Sequence, residues 1–224
     1  MPSCILSHQG FVLPLKSKYP ELFDGIALCI GSFAPDIGIL ISYFFKFNFN
    51  ISNLFHSIGG LIYVIPISLL LIVIFNKALL PALASLILKR PDWPLNNWFA
   101  FLVVDEYRAQ KKMKLSANWL KKATYSVFIG VFSHFLLDLP THSQIPYLSP
   151  FYYGIMPKWF LEGGSDLKIP FYGNFRVTVN CNLLWITFSI GLAILALYNL
   201  RYIAKQRLKQ RLHPIRSETI ATTS

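Results

Sequence analysis

The sequence predicts an all-α integral membrane protein, a helical bundle of about four spans that starts with a half-membrane hairpin. Three observations carry this reading. Of 224 residues, 54% are hydrophobic and 14% charged, outside the usual balance of a soluble domain. The apolar residues are gathered into long runs. The basic residues, which raise the formal net charge to +11, collect between and after those runs. Such asymmetry points to membrane topology and anionic head groups before nucleic acid, and no aromatic-basic module of the nucleic-acid-binding kind occurs. Cys4, Cys29 and Cys181 are odd in number and far apart, with no CxxC, which argues against a disulfide framework or a thiolate zinc site. The first basic residue is Lys16 and Pro14 breaks the run before it, so a signal-peptide pattern is not expected.

In chain order, Ser7 is placed to cap a short helix from His8 to about Lys16. A second helix is expected from Glu21 to about Phe33, ended by Pro35, because proline forces the residue before it away from helix. Each piece is shorter than the ~20 residues a span needs. Together they make a hairpin that brings His8 and Asp36 to one depth. The alternative is a single span from Leu22 to Phe45, kinked at Pro35. Asn48, Asn50 and Asn53 mark a loop. Ser57 to Asn76 is the clearest span, with the apolar Leu79–Leu88 as an extension. Trp93, Trp98 and Phe101 suit an interfacial segment, and 105–122 a solvated helix or loop. Ala123–Leu139 is the next span, 143–180 a Pro-, Tyr- and Gly-rich loop, and Leu183–Leu200 the last span. Residues 1–200 thus form the membrane domain, and 201–224 a basic, disordered tail. The segment 77–122 holds nine Lys or Arg and the tail six, against three in 143–180. Positive charge favours the cytoplasmic side, so the span ends bearing His56 and Asp138 face outward.

The chemistry centres on Ser133-His134-Phe-Leu-Leu-Asp138-Leu-Pro140-Thr141-His142. Ionisable groups within a span are costly, ~2.5–3.5 kcal/mol or more each, and usually serve a function. His134 and Asp138, four residues apart, lie on one helical face. His8, Asp36, His56 and His142 reach the same level, whereas His213 stays in the tail. Imidazole and carboxylate together suit a divalent transition metal, zinc first. Six ligands exceed the need of one tetrahedral ion, so two metals are within reach. The bland alternative is a hydrogen-bonded pair joining two helices, worth ~0.6 kcal/mol on average.

The stretches MPSCILSHQGFVLPL, GSFAPD, FHSIGGL and SHFLLDLPTH, with the continuation SQIPYLSPF, resemble uncharacterised prokaryotic membrane proteins known as membrane-bound metal-dependent hydrolases. The resemblance covers roughly 1–155 and implies a hydrolase of the prokaryotic inner membrane. The order His, Asp, His, HxxxD, His is also similar to zinc-dependent phospholipase C and the P1-type nucleases. That similarity implies His8, Asp36, His56, His134, Asp138 and His142 as metal ligands. The final HxxxDxxxH interval is shorter than in that family and no HxxxE follows, so a third metal lacks its ligands.

The expected activity is therefore hydrolysis at a zinc or similar divalent site, with Asp36, His134 and Asp138 as catalytic residues. Membrane lipids are the expected partners, a lipid-like phosphoester the expected substrate, and nucleic acid is not expected. Two other classes fit the same residues: a proton- or ion-coupled transporter, and a haem protein using two of the histidines.

Overall fold

The structure is a computed structural model that describes residues 5–45, 51–90, 97–112, 115–138, 144–148, 152–155, 164–169 and 173–221. Helix α1 (Ile5–Lys18) starts before Ser7, which therefore lies inside the helix instead of capping it. The chain turns back and Asp24 caps α2 (Gly25–Phe44), its side chain accepting from the Ala27 N–H at 2.9 Å. The Asp24 backbone N–H donates to Ser126 Oγ at 2.9 Å, pinning this turn to a distant helix.

Helix α2 runs on through Pro35, which corrects the half-membrane hairpin: only its first arm is short. A proline inside a helix costs ~3 kcal/mol or more. Here the ring is fully buried, and packing along the whole of α2 outweighs that cost. His8 and Asp36 still share a level of the bundle. They lie about 15–17 Å from the turn, on opposite arms, at 1.5 Å per residue.

After α3 (Ile51–Phe55), a turn over 56–60 opens α4 (Leu61–Ile74). One π turn (Phe75–Leu79) continues it directly into α5 (Leu80–Leu88). Helix α6 (Trp98–Lys112) starts at Asn97, whose side chain accepts from the N–H groups of Phe99 and Ala100. Helix α7 (Ala117–Asp138) starts at Ser116, whose hydroxyl accepts from the Trp119 N–H at 3.2 Å. The stretch expected as a loop contains two antiparallel hairpins. β1 (Gln144–Leu148) pairs with β2 (Tyr152–Ile155), and β3 (Gly164–Ile169) with β4 (Gly173–Thr178) in register Gly164 to Thr178.

Helix α8 (Val179–Ala221) continues far past the expected end of the last span. The basic stretch from Arg201, expected to be disordered, is helical to Ala221. Arg207 binds Asp105 at 3.1 Å and Glu106 at 2.7 Å, and Arg211 also pairs with Asp105. The acidic partners on α6 give the basic helix a surface that the tail sequence alone does not reveal.

The core is built on α2 and α7. Ala27, Ala34, Val127 and Val131 are buried between them with Val64 and Ile72 of α4. A Cβ on Gly130 would lie 2.6 Å from Leu28 O and 2.7 Å from Ser32 N, so only glycine allows the two backbones this approach. On the other side a Cβ on Gly10 would fall 2.0 Å from Leu192 O, which sets α1 directly on α8.

Two continuous helices among the described residues are long and apolar enough to cross a membrane. They are Leu61–Leu88, with mean hydropathy 2.2, and Ile186–Arg211, with 1.5. Large apolar side chains on them face outward, including Ile62, Leu70, Ile190 and Ile194. Helices α2 and α7 are of spanning length, with 20 and 22 residues, but carry the polar groups of the site.

Candidate metal centre

The four sequence motifs meet at one point. α1 brings His8, α2 brings Asp36, the turn before α4 brings His56, and the last turn of α7 brings His134 and Asp138. His134 is fully buried, and His8, His56 and Asp138 are buried around it. Asp36 is the most open of the inner four, with a side chain 12% exposed.

The tautomers follow from the hydrogen bonds. His134 Nδ1 lies 2.8 Å from the carbonyl oxygen of Ser32, and His56 Nδ1 lies 2.8 Å from that of Ser52. A carbonyl only accepts, so both Nδ1 atoms carry the proton. Both Nε2 atoms then present lone pairs, and they lie 3.3 Å apart. Carboxylate oxygens close around them. His134 Nε2 is 3.1 Å from Asp138 Oδ2 and 3.8 Å from Asp36 Oδ1. His56 Nε2 is 3.6 Å from Asp36 Oδ1 and 3.8 Å from Asp138 Oδ2.

These separations have a simple meaning. Tetrahedral zinc with bonds of ~2.0–2.1 Å places its ligand atoms about 3.3–3.4 Å apart. The five separations, 3.1 to 3.8 Å, bracket that value. Four acceptor atoms facing one another in a buried space repel unless something positive lies between them. Asp36 Oδ2 is also buried without a hydrogen-bond partner among the described residues. The donor set therefore fits a divalent cation, and the Nδ1 bonds to backbone carbonyls are the orienting contacts that metal-binding histidines use.

His8 adds a fifth group. Its ring stacks on His134, with centroids 4.2 Å apart and planes 21° from parallel. His8, Asp36 and His134 have ligand atoms within 4.8 Å of one another, as do His56, His134 and Asp138. Both triads share His134, whose Nδ1 is committed to Ser32, so its one free lone pair serves a single cation. Five of the six expected ligands are thus together, and His142 lies outside the described residues.

The supporting residues were not singled out in the sequence. Gln9, next to His8, donates from Nε2 to Cys29 O at 3.1 Å and accepts at Oε1 from Ser32 Oγ at 3.2 Å. It fastens α1 to the segment of α2 that holds His134. Buried Ser57 donates to Leu54 O and accepts from the Gly60 N–H, closing the turn that presents His56. The polar residues beside the histidines, Gln9 next to His8 and Ser57 next to His56, were the available signal. Asp24, another buried carboxylate, is a helix cap at the far end of the hairpin.

A family model described as Domain of unknown function (DUF4184) matches residues 1–150, the span that holds every residue of the centre. No curated protein and no solved structure matches the chain.

Proposed function

The chain belongs to that domain family, and from its centre we propose a membrane-embedded metal-dependent hydrolase acting on a lipid or lipid-linked phosphoester. The observation that carries the proposal is the convergence of two imidazole nitrogens and two carboxylate oxygens within 3.1–3.8 Å, with both histidine tautomers set by backbone carbonyls. A divalent cation in such a place polarises a phosphoryl oxygen and lowers the pKa of a water to ~7.

The residues divide the work. His56, His134 and Asp138 would hold the cation, and Asp36 would complete the set through Oδ1. Asp36 Oδ2, the carboxylate oxygen without a hydrogen-bond partner among the described residues, would accept the proton of the attacking water. Helix α2, the continuous α4–α5 helix, α7 and α8 form the four-span bundle of the inner membrane. Their basic ends lie in the cytoplasm and the centre at the outer face. A site at head-group depth favours a substrate with an acyl or polyprenyl anchor and a phosphoester at the surface. The hydrogen-bond distance between His134 Nε2 and Asp138 Oδ2, 3.1 Å, also favours a second reading, a proton relay in a transporter.

The deciding experiment is metal content of the purified protein, with His134→Ala and Asp138→Ala alongside, followed by phosphate release from lipid phosphoesters. Stoichiometric metal that both substitutions remove supports the hydrolase. Metal-free protein that moves protons across liposomes in a pH-dependent way supports the relay.

A further inference from the structure

The opposite pole of the bundle carries a cavity of about 170 Å³ between the π turn and the C-terminal half of α6. Asn76, Lys77, Tyr107, Gln110 and Lys111 give it a polar lining, and Val73 and Pro81 an apolar side. Asn76 lies about 22 Å along the helix axis from Leu61, at 1.5 Å per residue, so this cavity is remote from the His/Asp centre. The π turn places two consecutive residues, Asn76 and Lys77, on the cavity wall. Such turns recur at functional sites.

The hydrogen bonds define what the cavity needs. Gln110 Nε2 donates to Glu106 Oε1 at 2.9 Å. A carboxylate only accepts, so the amide orientation is settled and Gln110 Oε1 is the atom left over. That oxygen is buried with no hydrogen-bond partner among the described residues, and so is Asn76 Oδ1. Two exposed lysines, Lys77 and Lys111, line the same cavity. A bare phosphate would answer the lysines and leave both amide oxygens unpaired. A bare amine would answer the oxygens and be repelled by the lysines. A group carrying a phosphate and a hydrogen-bond donor a few bonds apart satisfies both.

We propose that this cavity binds a phosphoethanolamine headgroup. The phosphate oxygens accept from Lys77 and Lys111, and the ammonium donates to Gln110 Oε1 and Asn76 Oδ1. Val73 and Pro81 meet the carbon skeleton. A phosphocholine headgroup has the same charges but no N–H to donate, so the site discriminates against it. The segment is on the basic, cytoplasmic side of the proposed topology, where the headgroup of a membrane phospholipid is at hand.

The test uses the full chain in detergent, titrated with short-chain phosphatidylethanolamine, the matching phosphatidylcholine and free phosphoethanolamine, with thermal unfolding as the readout. The expected result is at least tenfold tighter binding of phosphatidylethanolamine than phosphatidylcholine. The double substitution Lys77→Ala/Lys111→Ala weakens phosphatidylethanolamine binding at least tenfold, and Gln110→Leu narrows the preference over phosphatidylcholine. Metal content stays at the parent level in both variants, which separates this site from the His/Asp centre. Free phosphoethanolamine binding as tightly as the lipid would support the same headgroup site with a soluble ligand, and weaker binding supports the lipid. Equal binding of the two lipids by the parent, or phosphatidylethanolamine binding indifferent to the lysine substitutions, overturns the proposal.

Discussion

On the metal reading proposed above, stripping the cation should destabilise this protein by an amount that can be worked from the centre. Two carboxylates, with side chains 12% and 9% exposed, face two imidazoles whose lone pairs also point inward. Without a cation these groups must take up protons or draw apart, so a cation bound here would favour the folded chain, since the unfolded one has no equivalent site. At free metal a thousandfold above its dissociation constant, that linkage adds about 4 kcal/mol. For a chain of this size each kcal/mol moves the melting temperature by about 2–4 °C. A strong chelator should therefore lower Tm by roughly 8–16 °C, and added zinc should restore it. Asp138→Asn keeps the shape and removes one charged ligand. Its own Tm should fall, and the chelator should then shift it little further. The assay is thermal unfolding in detergent, paired with elemental analysis of the same samples. A parent protein that is metal-free and indifferent to chelator would sink the reasoning. So would Asp138→Asn retaining both the metal and the full chelator response.

Further outcomes follow from the packing and the charge pattern. Gly130→Ala puts a carbon 2.6 Å from Leu28 O, so α2 and α7 must separate; a loss of about 1–3 kcal/mol is expected. Because Ser32 O on α2 orients His134, metal content should fall with it. Asp36→Asn should keep most of the metal yet abolish hydrolysis, measured as phosphate release, since an amide cannot take the water's proton. Arg207→Ala leaves Glu106 without its 2.7 Å partner and Asp105 with Arg211 alone, which should cost about 1.5–3 kcal/mol in thermal unfolding. A fluorescent protein fused after Ser224 should fold and fluoresce in the cytoplasm; an active periplasmic phosphatase reporter at that position would reverse the proposed topology.

Much of the centre was legible because a polar group in an apolar run stands out. His134 and Asp138 sit four apart on a helix, and local geometry alone puts them on one face. Their partners could be named by depth, since a membrane reading sorts residues into levels. The error at Pro35 shows where local rules stop. Proline's preference against helix is a local cost, and burial of α2 against α7 along its length overrides it. The basic tail is a similar case. Its charges suggest solvation until Asp105 and Glu106 of a distant helix pair with them.

The sequence by itself determined the helical class, the long apolar runs, the clustering of the basic residues between and after those runs, and five of the residues now seen together. These properties depend on residue type and on spacing along one element. Only the tertiary structure decided that His56 and His134 point Nε2 at each other. Two carbonyls, Ser32 and Ser52, set those tautomers, and backbone carbonyls have no signature in the sequence. It also decided that both triads converge on His134, and that a cavity with polar and apolar walls opens at the other pole. Such features arise from helices meeting across many residues of intervening chain, where a glycine contact or a π turn moves atoms by distances that spacing rules do not resolve.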